Sequence, residues 1–278
     1  MSKVAVVTDS TAYLPEGIAE KYGIRVVPLH VVLGSWSGRE GTEVSPADVA
    51  RALTARRVQV TTSRPTPGAL AAAYQATGAT EIVSIHLSSA LSGTTDSARV
   101  AASYVAEFGI RVRVVDSRSL AMGLGFAVIA AAEAAAAGAS LECVEAAAHV
   151  DTTMLCYVDT LEHLRRGGRM TATSALVGTA LAVKPLLIVR DGSIELLEKV
   201  RTFSKAMVRL RELLVEAAGD GPVDVAVHHL AAPARAATLA DSLRADLPGL
   251  QSLYVSEVGA VVGAHVGPGM LGVVLWRR

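Results

Sequence analysis

The chain has 278 residues, of which 51% are hydrophobic and 19% are charged, and its 26 basic and 26 acidic side chains give a formal net charge of zero. A composition this apolar predicts a large buried core, arranged as one large domain or two smaller ones. Because no segment concentrates Lys and Arg, the sequence lacks the electrostatic footprint of a nucleic-acid-binding protein.

The cysteines and the apolar segments indicate a cellular location. Cys143 and Cys156 have no metal-ligand spacing and cannot build a disulfide framework, which is typical of a reducing cytosol. The apolar run at residues 4–7 is too short for a signal peptide. Only residues 120–132 suggest a membrane helix, and this stretch is shorter than the roughly 20 apolar residues that a span needs. We therefore expect a soluble cytoplasmic protein in which this stretch is a core helix.

In the first half of the chain, apolar runs typical of strands end in hydroxyl residues, and a helix start follows each run. The predicted strands are residues 4–7, 58–60, 81–87 and 112–115, and the predicted helices follow at residues 15–23, 69–76, 94–108 and 120–137. This alternation predicts βαβ units and a mostly parallel sheet with helices on both faces. Residues 33–45 are rich in Gly and Ser without periodicity, so they form either a surface loop over a site or a connection.

The second half has a different pattern. Its predicted strands are residues 153–158, 185–190, 193–197, 224–228, 253–257 and 273–276, and its predicted helices are residues 161–164, 175–183, 204–218 and 233–245. Asp191-Gly192 is a typical hairpin turn, and a hairpin implies a mixed sheet. We therefore predict two α/β domains, the first over residues 1–150 with a mostly parallel sheet and the second over residues 151–278 with a mixed sheet.

Four hydroxyl-rich strand ends in one parallel sheet suggest a site for a small anion. Ligands of such sheets bind at the carboxyl ends of the strands, where helix starts present free N–H groups. A single Ser or Thr there is commonly only a helix cap, but residues 61–63 and 88–94 hold more hydroxyls than capping needs. In the Gly-rich stretch 259–272, His265 lies among apolar residues and is either a core histidine or a site residue.

Several familiar chemistries are missing from the sequence. It contains no G-x-x-x-x-G-K-[ST] phosphate loop, no G-x-G-x-x-G directly after a strand and no G-x-S-x-G nucleophile elbow. No histidines and carboxylates share metal-ligand spacing. His228 and His229 are adjacent, but neighbouring strand residues point to opposite faces of a sheet. We therefore expect neither a metal nor a cofactor.

Eight motifs occur in order along the chain. They are V-A-V-V-T-D-S-T at residues 4–11, T-T-S-R-P at 61–65, L-S-S-A-L-S-G-T at 87–94, V-D-S at 115–117, L-E-H-L-R-R-G-G-R at 161–169, K-P at 184–185, K-V-R-T at 199–202 and A-H-V-G-P-G at 264–269. Together they resemble the DegV family of bacterial fatty-acid-binding proteins, and the resemblance covers the whole chain. One departure is Arg64, where the family usually has Gln; its charge lies either near the ligand headgroup or in solvent.

The resemblance implies two α/β domains that enclose a long-chain fatty acid between them. Hydroxyls and one histidine would hold its carboxylate, and the matching residues are Thr62, Ser63, Ser89, Ser92 and His265. Members of the family act as the non-catalytic binding subunit of a fatty acid kinase, in which a separate ATP-binding subunit makes an acyl phosphate for phospholipid synthesis. Arg201 of the K-V-R-T motif would dock that kinase subunit, and a surface ion pair is the alternative role for Arg201.

The physical chemistry of a fatty acid agrees with this resemblance. Burial contributes about 0.8 kcal/mol per methylene, so a tail of about 16 carbons could gain on the order of 10 kcal/mol before entropy losses. Hydroxyl donors would offset the cost of burying the carboxylate, and a protonated His265 would add a charge-assisted bond. Two alternatives stay open: a stand-alone acyl hydrolase that uses Ser89 or Ser92 with His265, and a sensor whose lipid occupancy alters contacts with another protein.

Overall fold

The computed structural model describes residues 4–55, 58–170 and 183–278. Within these ranges the chain forms two larger sheets and one small sheet, with helices around and between them. The strands are β1 (Ala5–Asp9), β2 (Arg25–Val27), β3 (His30–Leu33), β4 (Trp36–Arg39), β5 (Val60–Ser63), β6 (Glu81–His86), β7 (Arg111–Asp116), β8 (Thr152–Tyr157), β9 (Lys184–Arg190), β10 (Ser193–Val200), β11 (Val223–His229), β12 (Leu250–Glu257) and β13 (Leu271–Arg277). The helices are α1 (Ile18–Tyr22), α2 (Pro46–Ala55), α3 (Pro67–Ala76), α4 (Thr94–Ala106), α5 (Met122–Ala136), α6 (Leu141–Ala147), α7 (Glu162–Arg166), α8 (Phe203–Ala218), α9 (Pro233–Asp246) and α10 (Ala260–Val266).

The first sheet is parallel and has the strand order β2-β1-β6-β7. Its central strands are almost continuously buried, as expected for a parallel sheet that is covered on both faces. The helices α3 and α4 pack on one face, and α5 and α6 pack on the other. The βαβ pattern of the sequence therefore predicted a parallel sheet and its strands β1, β6 and β7, but it did not predict β2.

The second sheet is mixed and has the strand order β10-β9-β8-β13-β11-β12, in which only β11 and β12 pair in parallel. The helices α8 and α9 pack on one face, and α5 contacts the other face through β8 and β13. The parallel sheet uses residues 5–116 and the mixed sheet uses residues 152–277, which confirms the predicted fold class. The domain boundary at residue 150 stays a prediction.

The strand expected near residues 58–60 does not join the parallel sheet. Instead, β5 pairs antiparallel with β3, and β4 completes a separate three-stranded sheet. The prediction of four hydroxyl-rich strand ends in one sheet is therefore wrong, because β5 is a short polar strand with alternate residues exposed to solvent. The aperiodic stretch 33–45 contains β4. Of the helix predicted at residues 175–183, residues 175–182 lie outside the described residues.

The helix α5 is the layer between the two larger sheets. Of its 15 residues, 11 are buried, and they are mostly Ala, Gly and Val. It contacts β1 and β6 on one side and β8 and β13 on the other. This stretch is therefore a core helix, and none of the helices in the described parts of the chain is long and apolar enough to cross a membrane.

The small sheet is tied to α10 by the buried carboxylate of Glu40. The Val261 N–H donates to Glu40 Oε1 at 2.8 Å, and the hydroxyls of Ser10 and Tyr13 also donate to this carboxylate. The Tyr13 oxygen in turn accepts from the Val262 N–H at 3.2 Å. Burial raises the pKa of Glu40, and these donors oppose that effect. The first turn of α10 is thus held by side chains from the other half of the chain.

The hairpin between β9 and β10 also joins the two halves. Asp191 and Gly192 have φ values of 51° and 81°, as a two-residue hairpin turn requires. The buried Ser88 hydroxyl donates to the Gly192 carbonyl at 2.7 Å. A Cβ at Gly192 would collide with that hydroxyl, so glycine is required both by conformation and by space.

We expect Gly192→Ala to lower the urea midpoint of unfolding more than Gly109→Ala does. Gly109 has a similar φ of 76° but no atom near its Cβ position, so it is a matched control for backbone strain alone. Each change should lower the free energy of unfolding by about 1 kcal/mol, because alanine is strained in the left-handed backbone conformation. Gly192→Ala should lower it by about 1–3 kcal/mol more, because the buried Ser88 hydrogen bond is also disturbed. Equal midpoints for the two variants would contradict a stabilising role for that contact.

Candidate functional site

A cavity lies between the small sheet, α10 and the inward face of the mixed sheet, and it has two adjoining chambers. The outer chamber, of about 60 Å³, has the polar lining residues Thr62, Ser63, Arg64, Ser92, Arg169 and His265. The inner chamber, of about 20 Å³, has the lining residues Met154, Cys156, Leu187, His228, Met270 and Gly272. Both chambers share the apolar wall residues Leu120, Leu164, Ile194, Val262 and Val266. The cavity is therefore polar at one end and apolar along the rest.

Thr62 and His265 meet at the polar end. Thr62 is partly buried in β5, whereas Thr61 and Ser63 on either side of it are exposed. His265 lies in the last turn of α10, which packs against β3 and β5. The Thr62 Oγ1 lies 2.9 Å from His265 Nε2. Two residues that are distant in the sequence and belong to different halves thus form one hydrogen-bonded pair.

The environment of His265 favours the neutral imidazole. Burial lowers its pKa to about 4, and the nearby positive charge of Arg169 acts in the same direction. Its Nδ1 is buried and has no hydrogen-bond partner among the described residues. Gly167 makes this close packing possible, because a Cβ there would overlap the imidazole ring.

Two arginines bring positive charge to the outer chamber. Arg169 donates from Nε to the Leu91 carbonyl at 3.1 Å and from Nη1 to the Gly167 carbonyl. Arg64 donates from Nη1 to the Gly93 carbonyl at 3.1 Å. Neither guanidinium forms a salt bridge with a carboxylate of the described residues, so both positive charges remain without a counterion there.

Arg169 was absent from the site residues that the sequence predicted. The cluster of arginines around Gly167 and Gly168 was the available signal, because glycines at a helix end let a following side chain turn back over the chain. Arg64 is exposed, and its side chain bridges to the loop before α4 and lines the cavity, so a role near the headgroup stays a prediction.

The predicted serines lie in different places. Ser92 lines the outer chamber, and its hydroxyl lies 2.9 Å from the buried Thr94 hydroxyl. Ser63 also lines it but is exposed, and its hydroxyl makes only a long contact of 3.4 Å to the Arg64 carbonyl. Ser89 is exposed, is not a lining residue of either chamber, and donates its backbone N–H to Asp116. The structure thus brings together four of the five predicted residues, with Ser89 outside the cavity.

The loop after β6 is positioned by a buried carboxylate. Asp9 Oδ2 accepts the Leu87 N–H at 3.1 Å and lies 3.0 Å from His86 Nδ1, while Oδ1 accepts from the N–H and hydroxyl of Thr11. Asp9 is fully buried. It therefore caps and orders the turn that carries Leu87, Leu91 and Ser92 to the outer chamber, rather than contacting the cavity itself.

Arg201 lies just after β10, where β10 pairs with the first residue of β9. The same end of the mixed sheet holds the last residues of β8 and β11 and the first residues of β13, which follows α10. Arg201 is exposed and forms no ion pair with a described residue. The alternative of a surface ion pair therefore has no support among the residues that the structure describes.

Of the two consecutive histidines in β11, His228 is engaged by other protein groups. His228 is buried, and its Nε2 accepts the Met122 N–H at 3.2 Å while Nδ1 lies 3.0 Å from the Ser256 hydroxyl. Burial lowers its pKa to about 4. Across the described ranges, no group of three or more His, Cys, Asp or Glu side chains could hold a metal ion.

Comparison with known proteins identifies the family. The family model described as "Uncharacterised protein, DegV family" matches residues 3–278. The chain belongs to the DegV family. A DegV domain-containing protein of Streptomyces coelicolor is 56% identical over 281 residues, which cover 99% of this chain and 99% of the relative.

Solved DegV structures share this fold. The crystal structure of DegV from Bacillus subtilis, described as a fatty acid binding protein, has 36% identity, a TM-score of 0.91 and coverage of 100% of both chains. A DegV family protein from Thermus thermophilus, whose structure is described as showing fatty acid binding, has 33% identity and a TM-score of 0.91, with coverage of 99% of this chain and 100% of that chain. The two-sheet α/β architecture is therefore that of the DegV family.

We expect the pKa of His265 in the folded protein to be about 4, measured by an NMR titration of its ring nitrogens and assigned with His265→Gln. The ordinary value in an unfolded chain is about 6.5, so protonation favours unfolding. His265 should therefore reduce stability as the pH falls from about 6.5 to about 4, and the His265→Gln variant should lack this part of the pH dependence. A folded-state value near 6.5 would contradict the burial of the ring.

Proposed function

We propose that this DegV family protein binds a long-chain fatty acid, with the carboxylate in the outer chamber and the acyl tail in the inner chamber. The observation that carries this proposal is a pair of uncompensated arginines and a Thr–His pair at the polar end of an otherwise apolar cavity. The fatty acid binding described for the Bacillus subtilis and Thermus thermophilus relatives supports it.

The charges of the outer chamber select the headgroup. An ionised carboxylate that leaves water loses several kcal/mol unless it is paired and hydrogen-bonded. Arg169 is held in place by two carbonyls, so its charge is available without a further ordering cost. A neutral alcohol or ester would leave this charge unpaired. The chamber therefore favours an acid over its uncharged analogues.

The neutral His265 can act through Thr62. If His265 Nε2 donates to Thr62 Oγ1, the hydroxyl proton of Thr62 is left to point at the carboxylate. A bound carboxylate would also raise the pKa of His265, which opposes the effect of burial. This arrangement revises the expectation of a directly bonded, protonated histidine: His265 orients the donor, and Arg169 supplies the charge.

The proposed headgroup site keeps four of the predicted residues, Thr62, Ser63, Ser92 and His265. It also includes Arg64 and Arg169. Ser89 enters only through the resemblance to the family, because its side chain is exposed outside both chambers. The inner chamber supplies affinity for the tail at about 0.8 kcal/mol per buried methylene. The chambers are small, so flexible side chains such as Met270 must change rotamer to admit a long tail.

The geometry favours binding over hydrolysis. A serine hydrolase needs a nucleophile whose hydroxyl is hydrogen-bonded to the histidine that acts as base. In the described parts of the chain, neither Ser89 nor Ser92 donates to His265. The hydroxyl paired with its Nε2 is that of Thr62, and within those parts its Nδ1 has no partner that would orient the imidazole as a base. We therefore propose a non-catalytic, cytoplasmic binding subunit that presents its acid to a separate ATP-binding kinase subunit, which would form the acyl phosphate used in phospholipid synthesis.

We expect native mass spectrometry of the purified protein to show a bound long-chain fatty acid.

We expect Arg169→Met to weaken hexadecanoic acid binding by about tenfold or more. Thr62→Val should weaken it by about fivefold, since one donor to the carboxylate is lost. The same variants should change the affinity for hexadecanol little. Isothermal titration calorimetry or displacement of a fluorescent acid measures both ligands.

Thr238→Val is the control for Thr62→Val, because Thr238 is an exposed residue of α9 that only bonds its own helix. If Arg169→Met and Thr62→Val both bound the acid as tightly as the wild type, the outer chamber would not be the carboxylate site.

We expect Arg201→Ala to retain fatty acid affinity but to raise the KM for the loaded protein about tenfold when an ATP-binding fatty acid kinase subunit from the same organism phosphorylates it. A tenfold change corresponds to about 1.4 kcal/mol, which is within the range for an arginine that is a hot spot of an interface. Acyl phosphate formed from radiolabelled ATP measures the rate. Arg99→Ala, at an exposed arginine of α4, is the control. An unchanged KM would exclude Arg201 from docking.

A further inference from the structure

The floor of the inner chamber is a row of residues that crosses the mixed sheet. Gly272 of β13 lies opposite His228 of β11 on one side and opposite Cys156 of β8 on the other. Cys156 continues the row to Leu187 of β9. All four residues line the chamber. Gly272 alone has no side chain, so it leaves a depression between its two neighbours.

The depression at Gly272 has room for one more carbon. A Cβ built there would lie 3.5 Å from Met270 Cε, 3.7 Å from His228 Cβ and 3.9 Å from the Leu155 carbonyl oxygen. These are ordinary van der Waals separations, and the φ of Gly272 is not positive. Neither backbone conformation nor a collision therefore requires glycine here, in contrast to Gly192.

The surroundings of this depression suit a hydrocarbon. Both ring nitrogens of His228 are engaged, with the Met122 N–H and the Ser256 hydroxyl. The Cys156 thiol donates to the Tyr157 carbonyl, and burial raises its pKa to about 12, so it stays neutral. These side chains therefore present carbon and sulfur surface to a ligand. A hydroxyl or a second carboxylate placed here would lose its hydrogen bonds to water without replacement.

We propose that Gly272 determines the length of linear acyl chain that the protein prefers, by providing the space for the methyl end of the chain. This inference rests on the proposed function. The free space in this chamber is small, about 20 Å³, so one added carbon on its floor changes what fits there. Met270 is the adjustable wall, because its thioether end lies closest to the position that a side chain at Gly272 would occupy.

The experiment measures dissociation constants for a series of linear saturated acids from dodecanoic to eicosanoic acid. We expect Gly272→Ala to weaken binding of the acid that the wild type prefers by about fourfold, the value of one methylene, and to leave acids two carbons shorter unchanged. The preferred length should become shorter. Met270→Ala should move the preference towards longer acids. Gly221→Ala is the control, because its Cβ would meet no atom within 4 Å and its φ is not positive.

The outcomes separate the two proposals. A profile of Gly272→Ala that coincides with the wild type, with both proteins folded and binding acids, overturns the role of Gly272 and leaves fatty acid binding intact. A loss of affinity that is equal at every chain length also overturns it, since a general disturbance of the cavity would then explain the result. If the wild type binds no acid of any length, the proposed function falls, and the inference falls with it.

Discussion

The burial of α5 between two sheets is the constraint on which the rest of the structure depends. A helix that touches sheets on both sides must be apolar around its whole circumference and narrow enough for both to approach it. The Ala- and Gly-rich sequence of α5 meets both conditions, and a Cβ at Gly125 would collide with the Ala12 carbonyl. The helix begins only after Ala121, and Leu120 and Ala121 line the inner chamber. The helix α5 therefore separates the two sheets, and the cavity lies next to its N-terminal end.

A second consequence of this arrangement is that neither half of the chain contains the candidate site alone. The small sheet brings Thr62, and the second half brings His265 and Arg169. The Glu40 carboxylate accepts from the first turn of α10, and the Ser88 hydroxyl donates to the β9–β10 turn. These two contacts hold the halves in register. Because these contacts are buried and each would leave an unpaired polar group if broken, the headgroup site keeps its geometry only while the halves stay together.

The sequence predicted what local patterns determine and missed what distant contacts determine. Alternating strands and helices predicted the parallel sheet, and Asp191-Gly192 predicted the hairpin, because both signals are local. The small sheet was missed because β5 is half exposed and owes its pairing to β3, not to its own apolarity. Glu40 and Arg169 were missed for the same reason, since their roles come from partners that only the fold brings near. The resemblance to a family supplied Thr62 and His265, which periodicity alone would not have paired.

The parallel sheet shows why residue types alone do not establish catalysis. Ser84, His86 and Asp9 form a hydrogen-bonded chain, with Ser84 Oγ 2.8 Å from His86 Nε2 and His86 Nδ1 3.0 Å from Asp9 Oδ2, the connectivity of a serine hydrolase triad. All three are fully buried, and the Tyr74 hydroxyl donates to Ser84, so no substrate carbonyl can reach that oxygen. The chain instead fixes Asp9, which orders the turn below the outer chamber. In the candidate site the Thr62 hydroxyl is paired with His265, but His265 Nδ1 has no partner among the described residues that would orient the ring as a base. The two arginines there can hold an anion.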